Sequence, residues 1–183
     1  MKCTDYIKDS DTLYMKYHDK EWGRVHHDEH YLYEMFILES FQAGLSWRTI
    51  LYKRKNFEKA YDNFYIDKVA NYSDEDINRL LNDKGIIRNK LKINASINNS
   101  KLFKNIEKEF GSFDKYIWSF TDNKQVYVDI NITKNKLSDR ISNDLIKRGF
   151  KFVGSTIIFS YLQAIGVINS HSKDCKVYKE LVC

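Results

Sequence analysis

Residues 31–43 read YLYEMFILESFQA, a stretch in which apolar side chains recur at helical spacing. Five further stretches share this spacing, namely 48–64, 74–83, 88–110, 136–149 and 155–167. Residues 124–132, KQVYVDINI, alternate like a strand instead, and could form a short hairpin or a loop. The sequence therefore predicts a mainly α fold.

The third of these helices carries signals for both of its ends. Ser73 followed by Asp76 resembles a capping box, a pair that satisfies free amides at a helix start. Gly85 is placed to end the same helix, because glycine tolerates the backbone that follows a last turn. We expect the helix to begin just after Ser73 and to stop near Gly85.

Length and composition predict one domain over residues 1–183. With 43% hydrophobic and 15% aromatic residues, the chain is too apolar to be disordered. It has no proline and no Gly/Ser-rich tract of the kind that forms linkers. No stretch approaches the ~18 consecutive apolar residues of a membrane span, and the first residues lack a signal-peptide core. We expect a cytoplasmic monomer with no membrane contact.

Positive charge is concentrated in one part of the chain. The net charge is +5, and residues 84–104 carry six Lys or Arg and no acid. Such a stretch is typical of a nucleic-acid-binding face and, equally, of a solvated helix rich in Lys and Asn. Charge alone does not decide between them.

Residues 73–104 read as a helix, a tight turn at 83–88 and a basic helix. This order resembles a helix-hairpin-helix, whose turn amides and following helix start can hold a DNA phosphate. An ordinary pair of antiparallel helices has the same pattern, and the Gly-x-Gly of strong phosphate-binding hairpins is missing here. Taken by itself, the segment favours the ordinary hairpin.

Glu39 lies in the apolar stripe of the first helix. Helical spacing places Leu32, Phe36 and Ala43 on the same face. A carboxylate in a dry core is strongly unfavourable unless something compensates its charge. Three explanations remain open: an Arg partner, a helix rotated toward solvent, or an acid at the floor of a pocket that recognises a cation.

Cysteine and histidine residues near the two ends of the chain could bind a metal. His171 and Cys175 have ligand spacing, and Cys3 and His18 would complete a closed tetrahedral zinc site. Other histidines could supply nitrogen equally well; these are His26, His27 and His30. Three cysteines in a chain of this length do not indicate a disulfide framework.

Aromatic residues cluster around these elements. Tyr14, Tyr17 and Trp22 lie in LYMKYHDKEWG, and Trp47 follows the sequence AGLS. A flipped base would stack on such rings, although core packing is the commoner role of a Tyr or Trp.

Several long motifs in the same order resemble the constitutive bacterial 3-methyladenine DNA glycosylases, the Tag family of the helix-hairpin-helix glycosylase superfamily. The motifs are YHDKEWG (17–23), LESFQAGLSW (38–47), KGIIRNKLKI (84–93), KRGFKFVGST (147–156) and the final His-x-x-x-Cys. The family has a Trp two positions after its first zinc cysteine, whereas Cys3 is followed by Thr4, Asp5 and Tyr6.

The resemblance implies a compact helical helix-hairpin-helix glycosylase fold whose N- and C-termini are joined by one structural zinc ion. It places the zinc ligands at Cys3, His18, His171 and Cys175. It assigns Glu39 to recognition of the base. It assigns base stacking to Tyr17 and Trp47, with Trp22 nearby.

The resemblance also implies an activity on double-stranded DNA that contains alkylated adenine. The enzyme would extrude the damaged nucleotide, hold the base between Tyr17 and Trp47, and place Glu39 against the cationic ring. Water would then cleave the N-glycosidic bond and leave an abasic site without cutting the strand. The alternative is a non-catalytic module on the same scaffold that only binds DNA or lesions.

DNA contacts are expected along the basic helix and, as a second candidate, in the KRGFK segment. The first set comprises Arg88, Lys90 and Lys92. The second comprises Lys147 and Lys151. Phosphate contacts of this kind make DNA affinity depend steeply on salt.

Overall fold

The computed structural model describes residues 2–5, 7–8 and 10–182. Tyr6 lies outside the described residues. The helices are α1 (Thr12–Lys20), α2 (Glu29–Gln42), α3 (Trp47–Leu51), α4 (Arg54–Ala60), a 3-10 turn (Asp62–Phe64), α5 (Ile66–Val69), α6 (Asp74–Asn82), α7 (Lys90–Phe110), α8 (Phe113–Ser119), α9 (Lys136–Lys147), α10 (Ser155–Ala164) and α11 (Lys176–Val182). Two short strands, β1 (Val126–Tyr127) and β2 (Ile168–Asn169), complete the description. The mainly α prediction is confirmed.

Helix α2 runs through the middle of the core. It packs against α3, α7, α8 and α10, and its residues from Leu32 to Phe41 are buried on almost every side. The ring of Phe36 meets those of Phe103 and Tyr161 edge to face, at centroid distances of 6.0 and 5.4 Å. Because no face of α2 is left to water, a polar group on this helix has to find its partner inside the protein.

The predicted helix over 48–64 is wrong as a single element. The chain forms α3, breaks at Tyr52 and Lys53, and continues as α4. It then enters a 3-10 turn in which Asn63 has a left-handed backbone, with φ 55°. The bends allow both Ile50 on α3 and Phe57 on α4 to be completely buried, which helical spacing along one straight axis would not achieve.

The alternating segment 124–132 forms neither a hairpin nor a simple loop. Only Val126 and Tyr127 are in a strand, and they pair in parallel with Ile168 and Asn169. The pairing joins parts of the chain that no local pattern connects.

The capping box is confirmed, since Ser73 and Asp76 each bond to the other's backbone amide. The helix ends at Asn82, earlier than Gly85 suggested. The Gly85 amide donates to Asp83 Oδ1 at 2.7 Å, and a Cβ at Gly85 would lie 2.9 Å from that oxygen. A side chain at this position would therefore have to displace the Asp83 carboxylate and press on Asn56.

Two helical hairpins lie in sequence order along the chain. In the first, α6 packs against α7; in the second, α9 packs against α10. Residues 148–154 connect the second pair. Within the described part of the chain, no helix is both long and apolar enough to cross a membrane.

Candidate functional site

A cavity of about 230 Å³ opens beside the C-terminal half of α2. Four helices contribute to its walls: α1 with Tyr14 and Tyr17, α2 with Glu39, α3 with Trp47, and α10 with Phe159. The loop after β1 adds Ile130 to the opposite wall. Segments far apart in the sequence therefore enclose one pocket, whose lining is aromatic and apolar apart from a few polar groups.

Glu39 lies in this cavity with an uncompensated carboxyl group. Its side chain is 3% exposed, and its Oε2 atom has no hydrogen-bond partner among the described residues. Burial raises the pKa of the Glu39 carboxyl well above its ordinary value. Neither an Arg partner nor rotation toward solvent explains this acid, so the pocket-floor explanation is the one that agrees with its position.

Two further polar atoms in the same cavity lack partners in the described part of the protein. They are the amide oxygen of Gln42 and the indole nitrogen of Trp47, both buried. An unpaired buried polar group is unfavourable by about 1–3 kcal/mol. Three such groups around one cavity are typical of a pocket that binds a polar ligand.

Tyr17 and Trp47 lie side by side on one part of the pocket wall. Their ring centroids are 5.0 Å apart and their planes are inclined by 43°. A base between two rings would need about twice the 3.5–4.0 Å contact distance of carbon atoms. In this arrangement the two rings contact each other and leave no room for a base between them. A base held between Tyr17 and Trp47 stays a prediction, and it requires the rings to separate.

Asp11 connects the helices that carry these two aromatic residues. Its carboxylate accepts hydrogen bonds from the Tyr14 amide at 3.1 Å and from Arg48 Nε at 2.6 Å, and from the Tyr52 hydroxyl at 2.7 Å. Burial acts to raise the pKa of Asp11, but the bonds from Arg48 and Tyr52 outweigh it and lower that pKa. Asp11 was not among the predicted site residues, although an Asp just before a helix is a capping signal.

Cys3, His18 and Cys175 form a group that could hold a metal ion. Their ligand atoms all lie within 4.8 Å of one another. His18 Nε2 is 3.3 Å from Cys3 Sγ and 3.9 Å from Cys175 Sγ, while its Nδ1 is 2.9 Å from Asp19 Oδ1. A carboxylate on the second ring nitrogen is a common companion of a metal-bound histidine.

The protonation state of Cys3 suits a metal, whereas burial raises the pKa of the Cys175 thiol. Burial acts to raise the pKa of the Cys3 thiol, but hydrogen bonds with His18 and Ser172 outweigh it and lower that pKa to about 7. A lower pKa favours the thiolate, which is the form that binds metals. The three other histidines named in the sequence analysis are bonded elsewhere: His26 to the Glu21 carbonyl, His27 to Asp114 and His30 to the Asn63 carbonyl.

His171 lies beside this group without belonging to it. Its ring is fully buried, and neither ring nitrogen has a partner among the described residues. It stacks on His18 at 4.8 Å and on Trp22 at 4.7 Å, centroid to centroid. Burial and the nearby charges of His18 and Arg24 lower its pKa to about 4, so the ring is neutral and able to bind a metal.

Trp22 joins the two parts of the site. It lines the cavity together with His18, and its ring stacks on the His171 ring at 4.7 Å. The metal group and the pocket therefore share a wall.

The predicted DNA contacts divide into exposed and buried residues. Arg88 and Lys90 are exposed at the start of α7, and Lys147 and Lys151 are exposed around the second hairpin. Lys92, by contrast, is 8% exposed. Its Nζ donates to the carbonyls of Phe41 and Ala43 at 2.8 and 2.5 Å, so this lysine does not belong to the exposed basic face.

The second hairpin is attached to α7. The Asn99 side chain bonds to both the amide and the carbonyl of Lys151, at 2.9 and 2.8 Å, and Asn98 donates to the Gly149 carbonyl at 3.1 Å. The two basic segments therefore lie on one surface. Between them runs an open groove lined by Leu91, Asn94, Ala95, Asn98, Lys151 and Phe152.

Comparison with known proteins gives concordant matches over most of the chain. The family model described as methyladenine glycosylase matches residues 7–179. DNA-3-methyladenine glycosylase 1 of Escherichia coli (strain K12) is 42% identical over 173 residues, 92% of each protein.

Solved structures agree. A crystal structure of 3-methyladenine DNA glycosylase I (TAG) superposes with a TM-score of 0.90 at 40% identity, covering 96% of this chain and 98% of that one. A variant of the same enzyme type in complex with 3-methyladenine gives a TM-score of 0.88 at 36% identity, with coverage of 92% and 93%.

Proposed function

The chain belongs to the methyladenine glycosylase family, and we propose that it repairs alkylated DNA by hydrolysing the N-glycosidic bond of 3-methyladenine. The products are the free base and an abasic site. This reaction is the first step of base excision repair. The observation that carries this proposal is Glu39, a buried carboxyl with an unpaired oxygen in an aromatic cavity.

Glu39 selects the damaged base by its charge. A 3-methylated adenine is cationic while it is attached to deoxyribose, so its entry compensates the buried carboxylate and brings the pKa of Glu39 down again. Neutral adenine offers no such compensation. The same cationic charge makes the base a good leaving group, and the reaction therefore needs little proton donation from the protein.

Aromatic residues hold the base from one side. Tyr17 and Trp47 present a joined wall, with Trp22 at its edge, and a flipped base would lie against this wall with its exocyclic amine toward Glu39. No lysine is among the described residues that line the cavity. Water is therefore the nucleophile, and the enzyme is a monofunctional hydrolase that leaves the strand intact.

The DNA backbone would lie across the surface formed by both hairpins. Arg88 and Lys90 supply charge from the first hairpin, at residues 73–104, and Lys147 and Lys151 supply it from the second. The second hairpin is the better candidate for direct phosphate contact, because α10 begins without a side-chain cap and also lines the pocket through Thr156. Double-stranded DNA is the substrate, and a monomer acts on it.

A structural zinc ion would be held by Cys3, His18 and Cys175, with His171 as fourth ligand. The three clustered ligand atoms and the two unpaired nitrogens of His171 support this assignment. Bound zinc would join segments more than 150 residues apart, where a cross-link removes much entropy from the unfolded chain. One glycosylase domain over residues 1–183 accounts for all of these contacts.

The proposed activity is tested by incubating the purified protein with methylated duplex DNA and separating the released bases by chromatography. We expect free 3-methyladenine, and strands that break only after alkali treatment of the abasic sites. Unmethylated duplex is the control. Lesion binding without release of base would instead identify a non-catalytic module.

A further inference from the structure

The buried ammonium group of Lys92 has an unusual environment. It donates to the carbonyls of Phe41 and Ala43, and no carboxylate in the described chain is close enough to form an ion pair with it. Desolvating an ammonium without a counter-charge is unfavourable. A solvated lysine would avoid this penalty, so the buried placement needs an explanation other than surface charge.

The two carbonyls that bind Lys92 lie where α2 ends. Carbonyls in the last turn of a helix lack intrahelical partners, and the partial negative charge there favours a cation. Residues 43–46 continue from this point and lead directly to Trp47, the first residue of α3. In the sequence, Glu39 precedes this short connection and Trp47 follows it. The backbone path of residues 43–46 therefore influences the distance between these two pocket residues.

The connection has few restraints around Gly44, although the Leu45 amide donates to the Gln42 carbonyl at 2.6 Å and the Ser46 side chain caps α3. Gly44 has a left-handed backbone, with φ +76°, and a Cβ at Gly44 would meet nothing within 4 Å. No other part of the described protein packs against Gly44 on the side where a Cβ would lie. The bonds from Lys92 supply a fixed point immediately before it.

Lys92 also lies next to the proposed DNA surface. It belongs to the first turn of α7, where its amide donates to the Asn89 side chain, two positions after the exposed Lys90. Its Nζ is 6.0 Å from the ring centroid of Phe152, in the second hairpin. Lys92 therefore touches the end of α2 from the side on which both hairpins meet.

We propose that Lys92 is a positioning residue for base excision: its ammonium fixes the connection 43–46 and so sets Trp47 in relation to Glu39. The proposal rests on the proposed function, and it gives this lysine a role in the pocket in place of a phosphate contact.

The test compares Lys92→Met, which keeps the length of the side chain, with Lys101→Met, which removes an exposed charge from the same helix. Single-turnover excision of 3-methyladenine is measured with saturating enzyme, at a temperature where both variants are folded. We expect Lys92→Met to be slower by about tenfold, consistent with the loss of charge-assisted hydrogen bonds. Its affinity for undamaged duplex should stay within about twofold of the parent, and Lys101→Met should keep the parental rate.

Two results would overturn the proposal. If duplex affinity falls and the salt slope decreases by about one, Lys92 contacts a phosphate. If the rate of Lys92→Met equals that of the parent, the lysine has no positioning role.

Gly44→Ala provides an independent variant in case Lys92→Met does not fold. Alanine at this left-handed position strains the same connection and leaves Lys92 in place. We expect slower excision with unchanged duplex affinity. A parental rate in this variant would show that the path of residues 43–46 does not control excision.

A second measurement separates this proposal from the proposed function. In protein labelled with 5-fluorotryptophan, the fluorine resonance of Trp47, assigned with Trp47→Phe, should shift or broaden in Lys92→Met but not in Lys101→Met. Trp118, in the core, is the internal reference. If the parent releases no 3-methyladenine, the proposed function fails, while the Trp47 resonance still tests the position of the ring.

Discussion

Replacing Glu39 by Gln separates the attraction between charges from every other property of the pocket. The amide keeps the size of the side chain and part of its hydrogen bonding, and it removes the charge that faces the cationic base. In a cavity with little water, that attraction is worth on the order of 2–3 kcal/mol. Excision of 3-methyladenine should therefore slow by roughly a hundredfold.

The stability of the same variant should not decrease. Glu39 forms no ion pair in the described structure, and its Oε2 has no hydrogen bond to lose. Burial raises the pKa of Glu39 in the folded protein. Below the unfolded-state pKa the carboxyl is protonated in both states, so its ionisation does not affect the free energy of unfolding. As the pH rises from the unfolded toward the folded pKa, the parent loses stability, by about 1.4 kcal/mol for each unit between them.

The assay combines single-turnover excision with thermal unfolding of parent and Glu39→Gln at pH 4.5 and pH 8. We expect similar melting temperatures at the lower pH, and a higher melting temperature for the variant at the upper pH. Full activity in the variant would refute the role of Glu39 in base recognition. A large loss of melting temperature at pH 8 would show that the carboxylate has a stabilising partner.

Three further predictions concern the metal, the DNA surface and the buried aspartate. The purified protein should contain about one zinc per chain, and Cys175→Ala should lower both metal content and melting temperature; less than about a tenth of an equivalent in the parent would contradict the site. Replacing Lys147 and Lys151 by neutral residues should weaken duplex binding and decrease the salt slope, log K against log salt, by about two. Replacing Arg88 and Lys90 should have the same effect if the DNA covers both hairpins. Binding titrations at several salt concentrations check both expectations. Asp11→Asn should slow excision by roughly tenfold, because it weakens the bonds from Arg48 and Tyr52 that join α1 to α3. A parental excision rate in a fully folded variant would exclude this role.

Hydrophobic periodicity and capping residues predicted those helices that depend on interactions between residues close in sequence. The periodicity of 31–43 predicted α2 and placed Glu39 on its buried face, and the Ser73–Asp76 pair predicted the start of α6. Both signals arise from residues within a few turns of one another. The helices α1, α5, α8 and α11 were not predicted.

Contacts between distant segments could not be predicted from pattern. Lys92 belongs to a basic run and was expected at the surface, but the carbonyls that bind it lie about fifty positions earlier. The β1–β2 pair joins Val126 to Ile168, and the separation of Tyr17 and Trp47 depends on how α1 meets α3. In each case the deciding partner is fixed by packing, which a single sequence does not display.

The shared wall of the metal group and the pocket has a consequence for synthesis of the protein. Cys3 meets Ser172 across 169 positions, and His18 meets Cys175 across 157, while Trp22 rests on His171. A ribosome releases the N-terminal half of this wall long before the segment that supports it. In a nascent chain the wall that Trp22 forms therefore lacks its support until residues 171–175 have been synthesised and folded back against it.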